Sequence, residues 1–232
     1  MLRYQHLFFD LDHTLWDFDR NSADTLRELF HEFRIADLCT ASCEVFIERY
    51  RIANELIWEQ YRQDLITKEV LRDIRFQKVL TELGVAEKDH PPAMGSEYLR
   101  RCPTKTSLLP YTHEVLQYLL GQGYVLHILT NGFEDTQRIK LEGAQLRAYF
   151  THVVTSESCG FKKPHECYFR YALTTTQAHP AHCLMIGDSL EADILGAQRM
   201  NLDTVYVNFA QSPHDAAPTY EVACLSELMQ IL

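Results

Sequence analysis

The hydrophobic positions of the chain fall into two patterns. One consists of short, continuous apolar runs that end at polar residues, at positions 7–9, 125–129, 152–154, 183–186 and 204–207. Runs of this length with polar ends are typical of buried strands. Because helical stretches separate the later runs, the pattern predicts an α/β fold with a doubly wound, Rossmann-like parallel sheet covered by helices on both faces.

Residues 21–101 follow the second pattern. Apolar residues recur there at intervals of three and four positions, which is typical of amphipathic helices. Gly84 follows the third of these helices, where glycine suits a helix C-cap. Four polar residues are candidates for N-caps: Asn21 or Ser22, Ser42 and Thr67. The segment therefore predicts a small helical bundle inserted after the first strand.

Polar residues follow four of the predicted strands. In chain order they are Asp10 and Asp12, then Thr130 and Asn131, then Lys162 and Lys163, and finally Asp188 and Asp193. Each alone is explained as a turn former, a helix cap or a solvated surface residue. Ligands of such sheets bind at the carboxyl ends of the strands. The joint occurrence therefore predicts one crevice that holds all of these side chains.

The residue types in this crevice indicate its chemistry. Four crowded carboxylates repel one another unless a divalent cation lies among them, and oxygen ligands favour Mg²⁺. A lysine, a hydroxyl and backbone amides can hold phosphate oxygens. An aspartate that attacks phosphorus forms an aspartyl phosphate. We therefore expect Mg²⁺ as cofactor and a phosphate ester as substrate.

The runs DLDHTL, LTNG, FKKP and IGDSLEAD resemble the four motifs of the haloacid dehalogenase-like (HAD) superfamily. The helical insertion lies where that superfamily carries its type 1 cap, so the resemblance spans the whole chain. It implies an α/β catalytic core formed by residues 1–16 and 105–232 and a helical cap formed by residues 17–104. The run FFDLDHTLWDF is most similar to the pyrimidine 5'-nucleotidase (YjjG-like) subgroup.

The resemblance implies a role for each residue of the first three motifs. Asp10 would be the nucleophile, and Asp12 would act as the general acid and then as the general base. Thr130 and Asn131 would hold the phosphoryl group. Lys163 would neutralise this group and orient the nucleophile. We choose this lysine over Lys162 because the family's lysine directly precedes a proline.

The fourth motif would complete the metal site. The resemblance implies that Asp188 binds Mg²⁺ together with Asp10 and the backbone carbonyl of Asp12. Asp193 would act through a water on the metal or by orienting its neighbours.

Substrate selection is expected in the cap. Five residues that lead into it are candidates for substrate contacts: His13, Trp16, Asp17, Phe18 and Asn21. The two aromatic residues could instead only pack the hinge. His13 stands where the family most often has glycine, so either the turn needs no positive φ, which is the simpler expectation, or the imidazole touches the substrate. Two arginines three positions apart, Arg72 and Arg75, could reach an anion, but surface ion pairs are the simpler expectation.

Asp12 separates two classes of enzyme. Superfamily members that break carbon–halogen bonds lack this second aspartate, because their reaction has no leaving alcohol to protonate. The sequence therefore favours a Mg²⁺-dependent phosphomonoester hydrolase that acts through an aspartyl phosphate, with pyrimidine nucleoside 5'-monophosphates as the first expected substrates. A phosphatase of another small metabolite, such as a sugar phosphate or phosphoglycolate, stays open. So do a phosphomutase and a non-catalytic binding protein.

Composition narrows the partners. The chain has 22 Lys and Arg against 32 Asp and Glu, a formal net charge of -10 at pH 7. This excess of acid argues against a nucleic-acid binder and against a polybasic surface that docks on membranes. Seven cysteines without a C-x-x-C pair, and a start without a signal-peptide layout, favour a reduced, cytoplasmic protein. We expect a monomer or dimer whose partner is a small phosphate ester.

Overall fold

The computed structural model of the protein describes residues 3–232. Its sheet is parallel, with the strand order β3-β2-β1-β4-β5-β6. The strands are β1 (His6–Phe9), β2 (Val125–Thr130), β3 (His152–Thr155), β4 (Cys183–Gly187), β5 (Asp203–Val207) and β6 (Tyr220–Val222). The chain first builds outward from β1 to β3 and then continues on the other side of β1. This order is that of a doubly wound sheet, so the predicted fold class is confirmed.

The chain divides into two compact units. One comprises the chain up to Phe18 together with Thr106–Leu232, and the other is Asp19–Lys105, here called the helical unit. The helices from the first strand to the end of the helical unit are α1 (Phe18–Glu32), α2 (Ile35–Leu38), α3 (Cys43–Arg62), α4 (Lys68–Glu82) and α5 (Met94–Arg101). Ser42 and Thr67 accept backbone N–H groups at the starts of α3 and α4, and Gly84, with φ +81°, follows α4.

Two expectations for the helical unit are wrong. Asn21 and Ser22 do not cap a helix, because α1 begins earlier, at Phe18, and turns both side chains to its buried side. Arg75 forms no surface ion pair, since it is buried and its guanidinium donates to the Tyr50 hydroxyl at 3.2 Å and to Asn54 Oδ1 at 3.3 Å.

The other unit contains the sheet and its covering helices. These are α6 (Thr112–Gly121), α7 (Glu134–Gly143), α8 (Ser156–Cys159), α9 (Glu166–Thr176), α10 (Gly196–Gln198) and α11 (Leu228–Ile231). A π-helical turn, Leu190–Leu195, follows β4 and leads into α10. Residues of α9 pack on one face of the sheet in an apolar cluster that includes Phe8, Leu129, Tyr168, Phe169 and Met185. The strands are continuous apolar runs because the sheet is buried on both faces.

Three histidines lie in a row across this sheet. His127 on β2 is buried between His6 on β1 and His152 on β3. Its Nε2 is 3.1 Å from Nδ1 of His6, and its Nδ1 is 3.3 Å from Nδ1 of His152. Burial, followed by the charges of the two neighbouring rings, lowers the pKa of His127 to about 3. This imidazole is therefore neutral in the folded protein near neutral pH.

Two further features concern the chain as a whole. All seven cysteines are free thiols. Among residues 3–232, no helix has both the length and the apolar character needed to cross a membrane.

Candidate active site

The carboxyl ends of β1, β2 and β4 lie at one edge of the sheet. Phe9, the last residue of β1, is opposite Ile128 on β2 and Ile186 on β4. The backbone N–H of Asp10 donates to the carbonyl of Ile186 at 2.9 Å and extends the pairing by one residue. The polar residues that follow these strands therefore start from neighbouring positions, as parallel register requires.

The amine of Lys163 lies among these residues and is 2% exposed. Its Nζ donates to Oδ1 of Asp10 at 2.6 Å, to Oδ1 of Asp193 at 2.6 Å and to the carbonyl of Leu129 at 2.7 Å. An ammonium group has three N–H bonds, so the protein uses all of them. Lys163 thus orients Asp10 by a direct hydrogen bond, and any effect of this amine on a phosphate would come from its charge.

Three carboxylates form a compact cluster around this amine. Oxygen atoms of Asp10, Asp188 and Asp193 lie within 4.8 Å of one another. Burial, the largest cause, raises the pKa of Asp10 to about 8, because the nearby aspartates add repulsion and Lys163 offsets only part of both effects. Burial and the charge of Asp193 raise the pKa of Asp188 to about 7.

This charge balance is a test of the expected cofactor. When all three carboxylates are ionised, one ammonium among them leaves two negative charges without a counter-charge. A divalent cation would offset them, and an all-oxygen donor set suits Mg²⁺. The residues present therefore fit a Mg²⁺ ion.

Asp193 differs from the other two members of the cluster. Both of its oxygens bond to the protein, since Oδ2 accepts the backbone N–H of Ser189 at 3.1 Å while Oδ1 accepts from Lys163. Gly187 leaves room for this arrangement, because a Cβ at that position would lie 2.3 Å from Oδ2 of Asp193. Asp193 is thus suited to orient its neighbours, the second of the two roles predicted for it.

The carboxylate of Asp12 is not part of the cluster, and α7 holds it. Lys140 Nζ lies 2.6 Å from Oδ1 and 2.8 Å from Oδ2 of Asp12, and Gln137 Nε2 donates to Oδ2 at 2.8 Å. Burial alone would raise the pKa of Asp12, but the charge and hydrogen bonds of these two residues outweigh it, so the pKa is lowered. Asp12 is therefore ionised when no substrate is present. Because α7 holds its carboxylate, the backbone carbonyl is the atom of Asp12 that remains for a metal.

Gln137 also connects Asp12 to Thr130. Its Nε2 donates to Oγ1 of Thr130 at 2.9 Å, and the N–H of Gly132 donates to the same oxygen at 3.0 Å. Because this oxygen accepts two N–H groups, the hydroxyl hydrogen can point to a ligand oxygen. Gly132 provides the space, since a Cβ there would lie 1.7 Å from Nε2 of Gln137.

Sequence analysis missed Gln137 and Lys140. Both belong to a polar stretch that looks like the solvent-facing side of a helix. The two residues are three positions apart, which places them on one side of the first helix after the LTNG motif. This spacing was the feature of the sequence that could have indicated a shared role.

Asn131 serves the loop that carries Lys163. Its Nδ2 donates to the carbonyl of Lys163 at 2.9 Å, and its Oδ1 accepts the backbone N–H of Lys163 at 2.7 Å. Both ends of the side-chain amide are therefore engaged with Lys163, and the second hydrogen of Nδ2 can still donate to a ligand oxygen.

His13 overturns one expectation. Its φ is 61°, so the turn does need a positive φ. The cause is a tight loop, which the His13 N–H closes by donating to the carbonyl of Trp16 at 3.0 Å. The exposed imidazole lies over the ring of Phe18, with 4.8 Å between the ring centroids. It is therefore still a candidate for substrate contact.

The other candidates for substrate contact differ in exposure. Trp16 is fully buried and has Nζ of Lys140 4.4 Å from its ring centroid, which agrees with the alternative that it only packs the hinge. Asn21 is buried in α1 of the helical unit and offers no exposed surface to a ligand. Asp17 and Phe18 are half-buried.

Comparison with known proteins identifies close relatives of this chain. Residues 4–201 match the family model of the haloacid dehalogenase-like hydrolases. The chain is 33% identical to the HAD-hydrolase YfnB of Bacillus subtilis (strain 168), over 100% of this chain and 97% of YfnB. It is 32% identical to the pyrimidine 5'-nucleotidase YjjG of Escherichia coli (strain K12), over 100% of this chain and 99% of YjjG. It is 31% identical to the pyrimidine 5'-nucleotidase PynA of Streptococcus pneumoniae (strain ATCC BAA-255 / R6), over 99% and 95% of the two chains.

A solved structure extends the similarity to three dimensions. The crystal structure of Bacillus subtilis YfnB bound to magnesium matches this fold with a TM-score of 0.87 and 32% identity, over 99% of each chain. The family inferred from the four motifs is thereby confirmed, and so is the expectation of an enzyme. With the family model covering most of the chain and these relatives covering all or nearly all of it, the protein belongs to the haloacid dehalogenase-like hydrolase family.

Proposed function

We propose that this hydrolase is a Mg²⁺-dependent phosphatase that removes phosphate from pyrimidine nucleoside 5'-monophosphates through an aspartyl phosphate. The observation that carries the proposal is the position of Asp12, which shares its partner Gln137 with Thr130. A phosphatase needs such a group to protonate the leaving alcohol, whereas the cleavage of a carbon–halogen bond does not. The relatives YjjG and PynA, both pyrimidine 5'-nucleotidases by name, support the choice of nucleotide.

The first step uses Asp10 as the nucleophile. Lys163 holds its Oδ1, which leaves Oδ2 to attack phosphorus. As the new O–P bond forms, the ester O–P bond breaks and the 5'-oxygen of the nucleoside leaves. Mg²⁺, bound by Asp10, Asp188 and the carbonyl of Asp12, would supply the positive charge that offsets the phosphate dianion.

Asp12 transfers protons in both steps. A dianionic phosphate beside this carboxylate favours its protonation, because like charges raise a carboxyl pKa. The protonated Asp12 donates to the leaving 5'-oxygen and becomes a carboxylate. It then takes a proton from the water that attacks phosphorus of the aspartyl phosphate. That attack breaks the bond to Asp10 and releases inorganic phosphate.

A panel of phosphate esters tests the substrate assignment. We would measure phosphate release from UMP, dTMP, AMP, ribose 5-phosphate and phosphoglycolate, with Mg²⁺ and with EDTA. Pyrimidine nucleotides are expected to give the highest kcat/KM, and EDTA is expected to abolish turnover. Turnover of sugar phosphates without turnover of UMP and dTMP would overturn the nucleotide assignment and keep the phosphatase assignment. Substrate loss without equal release of phosphate would indicate a mutase instead.

The substitution Asp10→Asn tests the mechanism. It keeps the size of the side chain and removes the nucleophilic oxygen, so kcat is expected to fall by about 10⁴-fold or more. The exposed residue Arg138 on α7 offers a control, since Arg138→Gln changes only a surface ion pair with Glu142. Undiminished phosphate release by the Asp10→Asn variant in the presence of Mg²⁺ would rule out the aspartyl phosphate.

A further inference from the structure

We infer that Lys140 is a positioning residue of the reaction, which fixes the carboxylate of Asp12 at the place where the leaving oxygen must take its proton. This inference rests on the proposed function, because it gives Lys140 a role only through the acid–base group of a phosphatase.

Lys140 holds Asp12 by both oxygens of its carboxylate. Nζ lies within 2.8 Å of both carboxylate oxygens, and the Lys140 side chain is 5% exposed. Contacts to both oxygens restrict rotation of the carboxylate as well as its position. An ion pair with so little exposure to solvent is a poor source of stability compared with apolar residues of similar size. Its position beside the reacting groups therefore points to a role in geometry.

The amine of Lys140 is in turn held by two aromatic rings. Nζ lies 4.4 Å from the ring centroid of Trp16 and 5.7 Å from that of Phe18. Trp16 is anchored by its backbone, which pairs with Asp12 on one side and with Leu108 on the other. The loop that carries the Asp12 carboxylate therefore also carries the Trp16 ring against which the Lys140 amine lies. Asp12, Trp16 and Lys140 thus all contact or pair with one another.

Helix α7 also connects Asp12 to Thr130, the residue predicted to hold the phosphoryl group. Gln137, one helical turn before Lys140 on α7, donates from one nitrogen to both Asp12 and Thr130. The position of the carboxylate relative to the hydroxyl is thus set by α7. Misplacement of a catalytic group by about 1 Å can reduce the rate of a reaction by about 10²-fold. Loss of the contacts between Lys140 and Asp12 should therefore slow proton transfer to the leaving oxygen.

The experiment separates proton transfer from the rest of the reaction. Lys140→Met would be assayed with UMP, whose alkoxide leaving group needs a proton, and with p-nitrophenyl phosphate, whose leaving group does not. We compare kcat/KM, which reports only the steps through formation of the aspartyl phosphate and leaves out its hydrolysis, where Asp12 acts on both esters alike. We expect kcat/KM for UMP to fall by about 10²-fold, as for loss of general acid catalysis, and kcat/KM for p-nitrophenyl phosphate to fall by less than about 5-fold. Lys140→Arg keeps the charge and should recover most of the UMP activity. Arg138→Met, two positions earlier and exposed, is the matched control.

Equal losses on the two esters, or no loss on either, would overturn the inference. A further set of variants guards against a general folding defect. Asp12→Asn combined with Lys140→Met leaves no unpaired charge, and it should be as active on UMP as Asp12→Asn alone because Lys140 acts through Asp12. An additional loss in the double variant would contradict the positioning role.

The two proposals fail in different ways. If the unmodified enzyme hydrolyses another alkyl phosphate and not UMP, the nucleotide assignment fails. The comparison of that ester with p-nitrophenyl phosphate then decides the role of Lys140. If the unmodified enzyme hydrolyses no alkyl phosphate, both proposals are overturned.

Discussion

The substitution Gly132→Ala places a methyl group inside the side chain of Gln137. The added Cβ would lie 1.7 Å from Nε2, 2.4 Å from Cδ and 2.8 Å from Cγ of Gln137. Gly132 is not among the residues with positive φ, so its backbone accepts alanine. The effect of the substitution is therefore the displacement of one buried side chain.

The magnitude follows from the hydrogen bonds that Gln137 would lose. Its bond to the Asp12 carboxylate contributes about 1.5–3 kcal/mol, and its bond to the Thr130 hydroxyl contributes about 0.5–1.5 kcal/mol. We therefore expect the free energy of unfolding to fall by about 2–4.5 kcal/mol. For a chain of this length, such a change lowers the thermal midpoint by about 5–15 °C.

Calorimetry of four proteins would check this reasoning: the unmodified enzyme, Gly132→Ala, Gln137→Ala and the double variant. Both single substitutions remove the same hydrogen bonds, so the double variant should be as stable as Gln137→Ala to within about 0.5 kcal/mol. The reasoning is refuted if Gly132→Ala lowers the midpoint equally with and without the Gln137 side chain.

Three further predictions follow from the charges of the site and the sheet. Asp10 and Asp188 have pKa values raised from 3.8 to about 8 and about 7. The folded state therefore holds protons that the unfolded chain releases near pH 4, so the metal-free protein should lose stability as pH rises from about 4 to about 8 and level off above that. Mg²⁺ affinity by titration calorimetry should rise up to about pH 8, because the ion competes with these protons; a flat affinity between about pH 6 and pH 8 would contradict this. His127 must stay neutral in the fold, so the free energy of unfolding should fall below about pH 6.5 by up to about 1.4 kcal/mol per pH unit. For His127→Gln, the free energy of unfolding measured with urea at several pH values should fall less steeply with decreasing pH than that of the unmodified protein. Lys163→Met leaves buried carboxylates unpaired, so it should lower the free energy of unfolding by about 3–5 kcal/mol and abolish phosphate release. Lys162→Met is the control and should retain kcat within about twofold. Equal effects of the two substitutions would contradict the placement of the Lys163 amine in the site.

The strand-end residues could be predicted because their signal is local. Asp10 comes directly after a short apolar run, Asp188 follows another such run after one glycine, and parallel register brings the two run ends together. The same logic predicted Thr130 at the end of β2. Position after a strand therefore carried most of the information about the charged cluster.

The support of Asp12 could not be predicted in this way, because it depends on how a helix packs. Lys140 is buried whereas Arg138, two positions earlier, is exposed. Both are basic residues in a polar stretch, and only the path of α7 past the end of β2 distinguishes them. Asn21 was misassigned for the same reason, since its polar side chain suits a cap but tertiary packing buries it inside α1.

The register of β1 determines where this chain can change its length during evolution. A deletion of one residue within β1 would turn its side chains to opposite faces of the sheet and would move Asp10 away from Lys163. The helical unit, Asp19–Lys105, begins and ends outside the strands. Insertions and deletions there leave the pairing of Phe9 with Ile186 intact. The chain can therefore change its length within Asp19–Lys105 without moving Asp10 away from Lys163, whereas a change of length within β1 separates the two residues.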